Sequence, residues 1–183
     1  MPLRLTVEPR SHLPDYATIP IAFEVRQRID VASPEQTRPV DPPYVKDYDR
    51  IPGNHPSEWA TRFDVNKWWF AAAFLEDQRV GGAALILDSR DIESDAEQLG
   101  VALLWDLRVA PAHRRQGVGP ALLAFAEAHA RSRGCRAMNV ETQDINVPAC
   151  RLYKSAGYAI AEINRHAYPD FPDEVQLIWR RDL

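Results

Sequence analysis

Residues 21–31, Ile-Ala-Phe-Glu-Val-Arg-Gln-Arg-Ile-Asp-Val, put apolar side chains at the odd positions, Gln27 excepted, and mostly charged ones between them. A period of two predicts a half-buried strand. Residues 33–57 are polar and carry Pro34, Pro39, Pro42, Pro43, Pro52 and Pro56. They predict a long loop, a kind of segment that is usually functional or disordered. Ser57 is placed to cap a short helix, Glu58 to Asp64. Apolar runs at 68–75 and 79–87, joined by Glu-Asp-Gln, predict a β-hairpin. Residues 88–99 are acidic and loop-like, and 101–109 form a Val- and Leu-rich strand ended by Ala110-Pro111. From Ala121 to Arg133, Leu122, Leu123, Phe125, Ala126 and Ala130 share one broad face, so this is a helix, with Gly134 as its stop. A buried strand follows at 135–141. A short helix runs from Val147 to Ala156, with Pro148 near its first turn and Gly157 beyond its end. Strands at 158–167 and 175–181 close the chain. Prolines crowd before residue 60 and after 168, which predicts irregular termini. Strand–helix–strand order in the middle implies a right-handed crossover, and the remaining pairs read as antiparallel. The class is mixed α/β.

A length of 183 residues fits a single domain, 1–183. At 45% apolar and 26% charged residues, the chain can build its own core without a disulfide or a metal. The net charge of −4 speaks against general nucleic-acid binding and favours cationic partners. Cys135 and Cys150 lack a second pair at ligand spacing, so they predict buried reduced thiols and no metal site. No stretch approaches ~20 apolar residues, and the N-terminus has no apolar run of signal-peptide length. A cytoplasmic protein without membrane contact is expected. Monomer and homodimer stay open.

The chemistry concentrates in "RRQGVGPALL", residues 114–123. A strand precedes it and a helix follows. Helix N-termini present unpaired N–H groups and the positive end of a dipole, so they attract anions. Glycines at 117 and 119 let backbone approach a ligand, and Arg114 and Arg115 add charge. No Gly-Lys-Ser/Thr is present, which excludes a Walker loop. Leu122 stands where a dinucleotide fingerprint needs its third glycine.

Leu107-Arg108-Val109-Ala110-Pro111 followed by His113-Arg114-Arg115-Gln116-Gly117-Val118-Gly119 resembles the acetyl-CoA signature of the GNAT (Gcn5-related N-acetyltransferase) superfamily. "NVPACRLYKSAGY", Asn146 to Tyr158, resembles its second signature. "VETQDINVPACRLYKSAGY" and "PPYVKDYD" at 42–49 look like streptothricin acetyltransferases, which acetylate an amine of that antibiotic's β-lysine part. The chain departs from that pattern at Asp144-Ile145, between Asp49 and Trp68, and in the acidic stretch Asp88 to Gln98.

The resemblance implies a GNAT α/β fold: a twisted, mostly antiparallel sheet with helices on both faces, splayed near Val109 to hold acetyl-CoA. It implies that the pantetheine arm pairs with the backbone of Leu107, Arg108 and Val109. The pyrophosphate would sit on the amides of residues 115–121, chiefly Gln116, Gly117, Gly119 and Ala121, with Val118 among them; Pro120 has no N–H to offer. Arg114 would face the 3′-phosphate or solvent. Asn146 would bond the arm or cap the helix that follows it, with Ala149 beside the cofactor. Tyr153 is the expected general acid for the leaving thiolate, since a phenol (pKa about 10) stays protonated where a thiol (about 8.5) begins to ionise. An ammonium has no lone pair, so a general base is needed. Glu141, placed like the base of ribosomal-protein alanine N-acetyltransferases, and Asp106, on the strand beside the cofactor, are the candidates. Alternation puts the Asp106 side chain opposite Trp105 and Leu107. Tyr44, Asp47, Tyr48 and Asp49 would meet a cationic acceptor. Trp68, Trp69 and Trp105 read as core or cleft wall. The acceptor is a small-molecule amine, or alternatively a protein or peptide amine; a CoA-binding sensor without turnover is the reading from another class.

Overall fold

The computed structural model describes residues 2–87 and 100–183, so the acidic segment expected to loop at 88–99 falls outside the described residues. In chain order the elements are β1 (Leu3–Glu8), α1 (Leu13–Tyr16), β2 (Phe23–Ile29), β3 (Thr37–Lys46), α2 (Pro56–Arg62), β4 (Trp69–Leu75), β5 (Gln78–Ile86), β6 (Val101–Val109), α3 (Val118–Ser132), β7 (Ala137–Gln143), α4 (Val147–Ser155), β8 (Ala159–Asn164) and β9 (Gln176–Asp182). The fold is mixed α/β with mostly antiparallel sheet. Two units divide it: residues 1–21, 47–138 and 182–183 form the first, and 22–46 with 139–181 the second. Among the described residues no helix is long and apolar enough to cross a membrane.

In the first unit β1, β4, β5 and β6 lie side by side in that order, each pair antiparallel. Glycines at 81 and 82 leave the centre of β5 bare on both faces. A Cβ on Gly81 would stand 2.9 Å from Leu122 Cδ1 and 3.1 Å from Val118 Cγ1, so the first turns of α3 rest directly on this strand. A Cβ on Gly82 would stand 2.5 Å from the Tyr16 ring, which covers the other face. Tyr16 belongs to a buried cluster with Trp59, Val65, Trp68, Phe70, Ala84 and Ile86, bordered by Leu13, Phe63, Leu103 and Trp105. The α3 face carries Trp69, whose ring packs on Phe125 and stacks on His129.

The second unit holds the two-stranded β2–β3 sheet, α4, and β9 between β7 and β8. Asp144, almost fully buried, is its polar knot. The Asp144 carboxylate accepts from Arg28 Nε (2.7 Å) and from the Val175 amide (2.9 Å), and its carbonyl accepts from the Ile29 amide (2.8 Å).

Several elements differ from expectation. The N-terminus is not irregular: Leu3, Leu5 and Val7 alternate with Arg4, Thr6 and Glu8, and β1 pairs with β4 along its whole length. The proline-rich stretch is not one loop, because β3 runs through Pro39, Pro42 and Pro43. A two-stranded sheet has only edges, where a missing N–H is tolerated, and Pro42 and Pro43 fall where the register with β2 shifts, between Val25 and Gln27. Helix α2 starts at Pro56, with His55 rather than Ser57 as its cap: His55 Nδ1 accepts from the Ser57 amide at 3.3 Å. Helix α3 starts at Val118, three residues before Ala121.

Replacing Gly82 by Ala forces a methyl against the Tyr16 ring and to 3.1 Å from the Ala71 carbonyl oxygen. Overpacking of this kind costs about 1–3 kcal/mol. Denaturant unfolding of Gly82→Ala should show a loss of that size, and a midpoint equal to wild type would contradict the packing described.

Candidate acetyl-CoA and acceptor site

Gly117 opens α3 in the left-handed region (φ 84°) and serves as its N-cap. Nothing lies within 4 Å of where its Cβ would stand, so glycine is needed here for its dihedral and not for space. The N-cap and first-turn amides of a helix have no intrahelical partner. Here these are the amides of Gly117, Val118 and Gly119, since Pro120 has none, and no acidic side chain sits in the first turn to compete for them. The Ala121 amide already donates to the Gly117 carbonyl at 3.1 Å. Ala121 therefore drops out of the expected donor set, because the helix begins earlier than its apolar run. Arg115, exposed and itself left-handed (φ 59°), carries its charge beside these amides. Gln116 turns its side chain back to the Ala112 carbonyl (2.9 Å). Arg114 donates from Nε to the Val109 carbonyl (3.0 Å) and from Nη2 to the Pro20 carbonyl (3.3 Å). It braces the loop against the end of β6, and desolvation lowers its pKa.

Strand β6 sorts its expected binding residues by backbone direction. The Ala110 amide donates to the Val80 carbonyl, and Arg108 lies opposite Gly82. Antiparallel alternation then turns the peptide groups of Arg108 toward β5 and those of Leu107 and Val109 away from it. Leu107 and Val109 turn their peptide groups to the side of β6 away from β5, the side expected for a pantetheine arm. Arg108 does not, as its backbone belongs to the sheet.

The Arg108 side chain lies 1% exposed in an ion-pair group. Its Nε (3.0 Å) and Nη2 (2.6 Å) donate to Asp106, Nη1 (3.2 Å) and Nη2 (3.2 Å) donate to Asp49, and Nη1 also donates to the Ile19 carbonyl (3.0 Å). Tyr16 Oη donates to Asp106 Oδ1 at 2.6 Å. Burial, then the Asp106 carboxylate, hold this phenol well above its ordinary pKa. Burial disfavours the Arg108 charge, but Asp106, Tyr16 and Asp49 outweigh it and raise its pKa. Asp106 was expected to leave the strand opposite Trp105. The structure corrects this: Ala84 pairs with Asp106 and Leu85 with Leu104, so Trp105 is the extra residue of a bulge. Trp105 packs on Trp59, Phe63 and Trp68, on the face where Tyr16 meets Asp106.

Of the expected acceptor residues, Asp47, Tyr48 and Asp49 form one tight turn, with Asp47 Oδ1 accepting from the Asp49 amide (3.2 Å). Tyr44 lies in the second unit, on β3, 40% exposed, its pKa raised by desolvation and then by Glu174. The second unit also holds Glu141, Asn146, Ala149 and Tyr153. Glu141 stands inside β7 rather than at a strand end, exposed, and accepts from Tyr168 Oη at 2.7 Å. Asn146 caps α4, its Oδ1 accepting from the Ala149 amide at 3.2 Å. Tyr153 is buried on α4 against Tyr158 and Trp179. Sequence reasoning missed Tyr16 and Tyr168, both of which reach their carboxylates across long chain separations. It also missed the Arg108 guanidinium, although Asp106 and Arg108 two apart on a strand share a face. Among the described residues no group of three His, Cys, Asp or Glu side chains is placed to hold a metal ion.

The sequence pattern of the acetyltransferase (GNAT) family matches residues 34–158. The chain belongs to this family, whose members are acetyl-CoA-dependent N-acetyltransferases. It is 30% identical over 165 residues to the streptothricin acetyltransferase of Escherichia coli, a match covering 86% of this chain and 83% of that protein. It is 37% identical over 82 residues to streptothricin acetyltransferase A of Bacillus subtilis (strain 168); that match spans 44% of this chain and about half (47%) of the relative. A Bacillus anthracis str. Ames structure, assigned as a streptothricin acetyltransferase and solved in complex with acetyl coenzyme A, superposes with a TM-score of 0.79 at 24% identity. The superposition covers 100% of this chain and 99% of that one.

Both cysteines are buried. Burial, then the Asp144 charge, push the Cys150 thiol up to about 12, so the nucleophilic thiolate is scarce at neutral pH. A folded-state pKa raised above the unfolded value of about 9 favours folding below pH 9. This contribution is lost as pH rises from about 9 toward 12. Iodoacetamide at pH 8 should leave Cys150 unmodified in the native protein and alkylate it in urea; rapid native alkylation would contradict the placement.

Proposed function

We propose that this chain transfers the acetyl group of acetyl-CoA directly to a primary amine of a cationic small molecule of streptothricin type, with antibiotic resistance as its role in the cytoplasm. The observation that carries the reading is the start of α3: three amides without intrahelical partners, at the positive end of a fifteen-residue helix, behind an exposed arginine. That is the chemistry a pyrophosphate needs. Matches to streptothricin acetyltransferases, one of them over 86% of the chain, support the acceptor class.

In this reading Gly117, Val118 and Gly119 hold the pyrophosphate with Arg115, and Leu107 and Val109 pair with the pantetheine arm. The acceptor nitrogen attacks the thioester carbonyl, the C–S bond breaks, and the sulfur leaves as a thiolate. Tyr153 gives the thiolate its proton. Glu141 takes the proton of the acceptor ammonium, because a lysine-like amine is less than ~0.1% neutral at pH 7. We assign the base to Glu141 over Asp106, whose two oxygens accept hydrogen bonds from Tyr16 and Arg108. No acyl-enzyme forms, in keeping with two buried thiols.

Thiol release from acetyl-CoA, measured against streptothricin, aminoglycosides, polyamines and peptide N-termini, tests the reading. Turnover is expected with streptothricin or another polycationic small molecule, and turnover confined to peptides would overturn the acceptor class. Tyr153→Phe should lower kcat about 10²-fold or more with little change in KM for acetyl-CoA. Glu141→Gln should abolish the acidic limb of the kcat/KM–pH profile. An intact limb in Glu141→Gln, or its loss only in Asp106→Asn, would reverse the assignment of the base.

A further inference from the structure

Arg108, Asp106, Asp49 and Tyr16 form one electrostatic group in the first unit. One guanidinium serves two carboxylates, so the group carries one negative charge in excess. Exposure rises outward through it: the side chain is 1% exposed at Arg108, 8% at Asp106 and 17% at Asp49. The excess charge therefore meets solvent at Asp49. Two Arg108 nitrogens hold the two Asp49 oxygens in a fork, each at 3.2 Å. The turn that begins at Asp47 fixes the Asp49 backbone. The other arginines nearby are engaged elsewhere: Arg50 pairs with Asp47 at 3.5 Å, and Arg114 donates to carbonyls.

A largely buried group with one negative charge in excess gains from a cation at its solvent-facing end. Both Asp49 oxygens are already held by the Arg108 fork, so Asp49 is not placed to take a proton as Glu141 is, and an ammonium that it holds stays charged, without the lone pair that attack needs. The amine that Asp49 holds is therefore not the amine that is acetylated.

We propose that Arg108 is a positioning residue that fixes Asp49 as the anchor for a second, non-reacting cationic group of the acceptor. The substrate class is then a molecule with at least two cationic groups, one acetylated and one left charged. The inference rests on the acetyltransferase reading, which supplies the acceptor. It gives Asp49 a task distinct from the base and Arg108 a task distinct from cofactor binding.

The test compares 1,5-diaminopentane with 1-aminopentane, equal in chain length and different by one charge. Affinity is measured by calorimetry at pH 7 with CoA present, beside thiol release with acetyl-CoA, on protein whose fold is checked by circular dichroism. Wild type should bind the diamine roughly tenfold more tightly than the monoamine, a difference of about 1.4 kcal/mol. In Asp49→Asn the ratio should fall to about one. In Arg108→Lys it should fall several-fold although the charge is kept, because an ammonium cannot reproduce the fork. An Asp49→Asn ratio equal to wild type overturns the anchor. A wild-type ratio in Arg108→Lys overturns the positioning role, and Asp49→Asn decides the anchor even if the arginine variant does not fold. If no amine releases thiol, the acetyltransfer reading falls, and the binding ratio still decides this one.

Discussion

The bare centre of β5 is the constraint on which the first unit depends. With no Cβ at Gly81, the first turns of α3 settle onto the strand through Val118 and Leu122. With no Cβ at Gly82, the Tyr16 ring comes close to the other face, and its hydroxyl reaches Asp106. A side chain at either position would lift one layer off the sheet. The helix start proposed to meet an anion and the ion-pair group proposed to meet a cation are thus both placed by two adjacent glycines in one strand.

Strand β6 turns this placement into chemistry. Its backbone at Leu107 and Val109 points away from β5, while Asp106 and Arg108 extend toward Tyr16. Arg114, five residues beyond Val109, reaches back to the Val109 carbonyl and ties the glycine loop to the strand that precedes it. The bulge at Trp105 matters as much: it brings an aromatic and a carboxylate onto one face, so Asp106 joins a buried group rather than standing free as a base. The α3 end supplies positive potential for a phosphate and Asp49 supplies negative potential for an amine, which separates the two substrates of the proposed reaction by charge.

Periodicity made β4, β5, β6, α3 and α4 legible, because each has one apolar face or an apolar run bounded by Gly or Pro. It passed over β1, although Leu3, Leu5 and Val7 carry the same period of two. The signal failed at β3, where prolines mark a loop in most contexts and here mark a strand with an open edge. The start of α3 was misplaced because Gly117 and Val118 carry no helical periodicity; only the left-handed dihedral at Gly117 reveals the cap. The cofactor motif was legible since it is local, whereas the pairing of Arg108 with Asp49 and of Tyr16 with Asp106 spans 59 and 90 residues. Long-range ion pairs leave no spacing in a sequence to find.

The central claim is that the amides opening α3 hold the pyrophosphate of acetyl-CoA. Nitrogen–proton correlation spectra recorded during a CoA titration test it most directly. The account predicts that the Gly117, Val118 and Gly119 resonances move together and furthest, and that Ala121, already bonded to Gly117, moves little. Saturating CoA with those three resonances unmoved would contradict it.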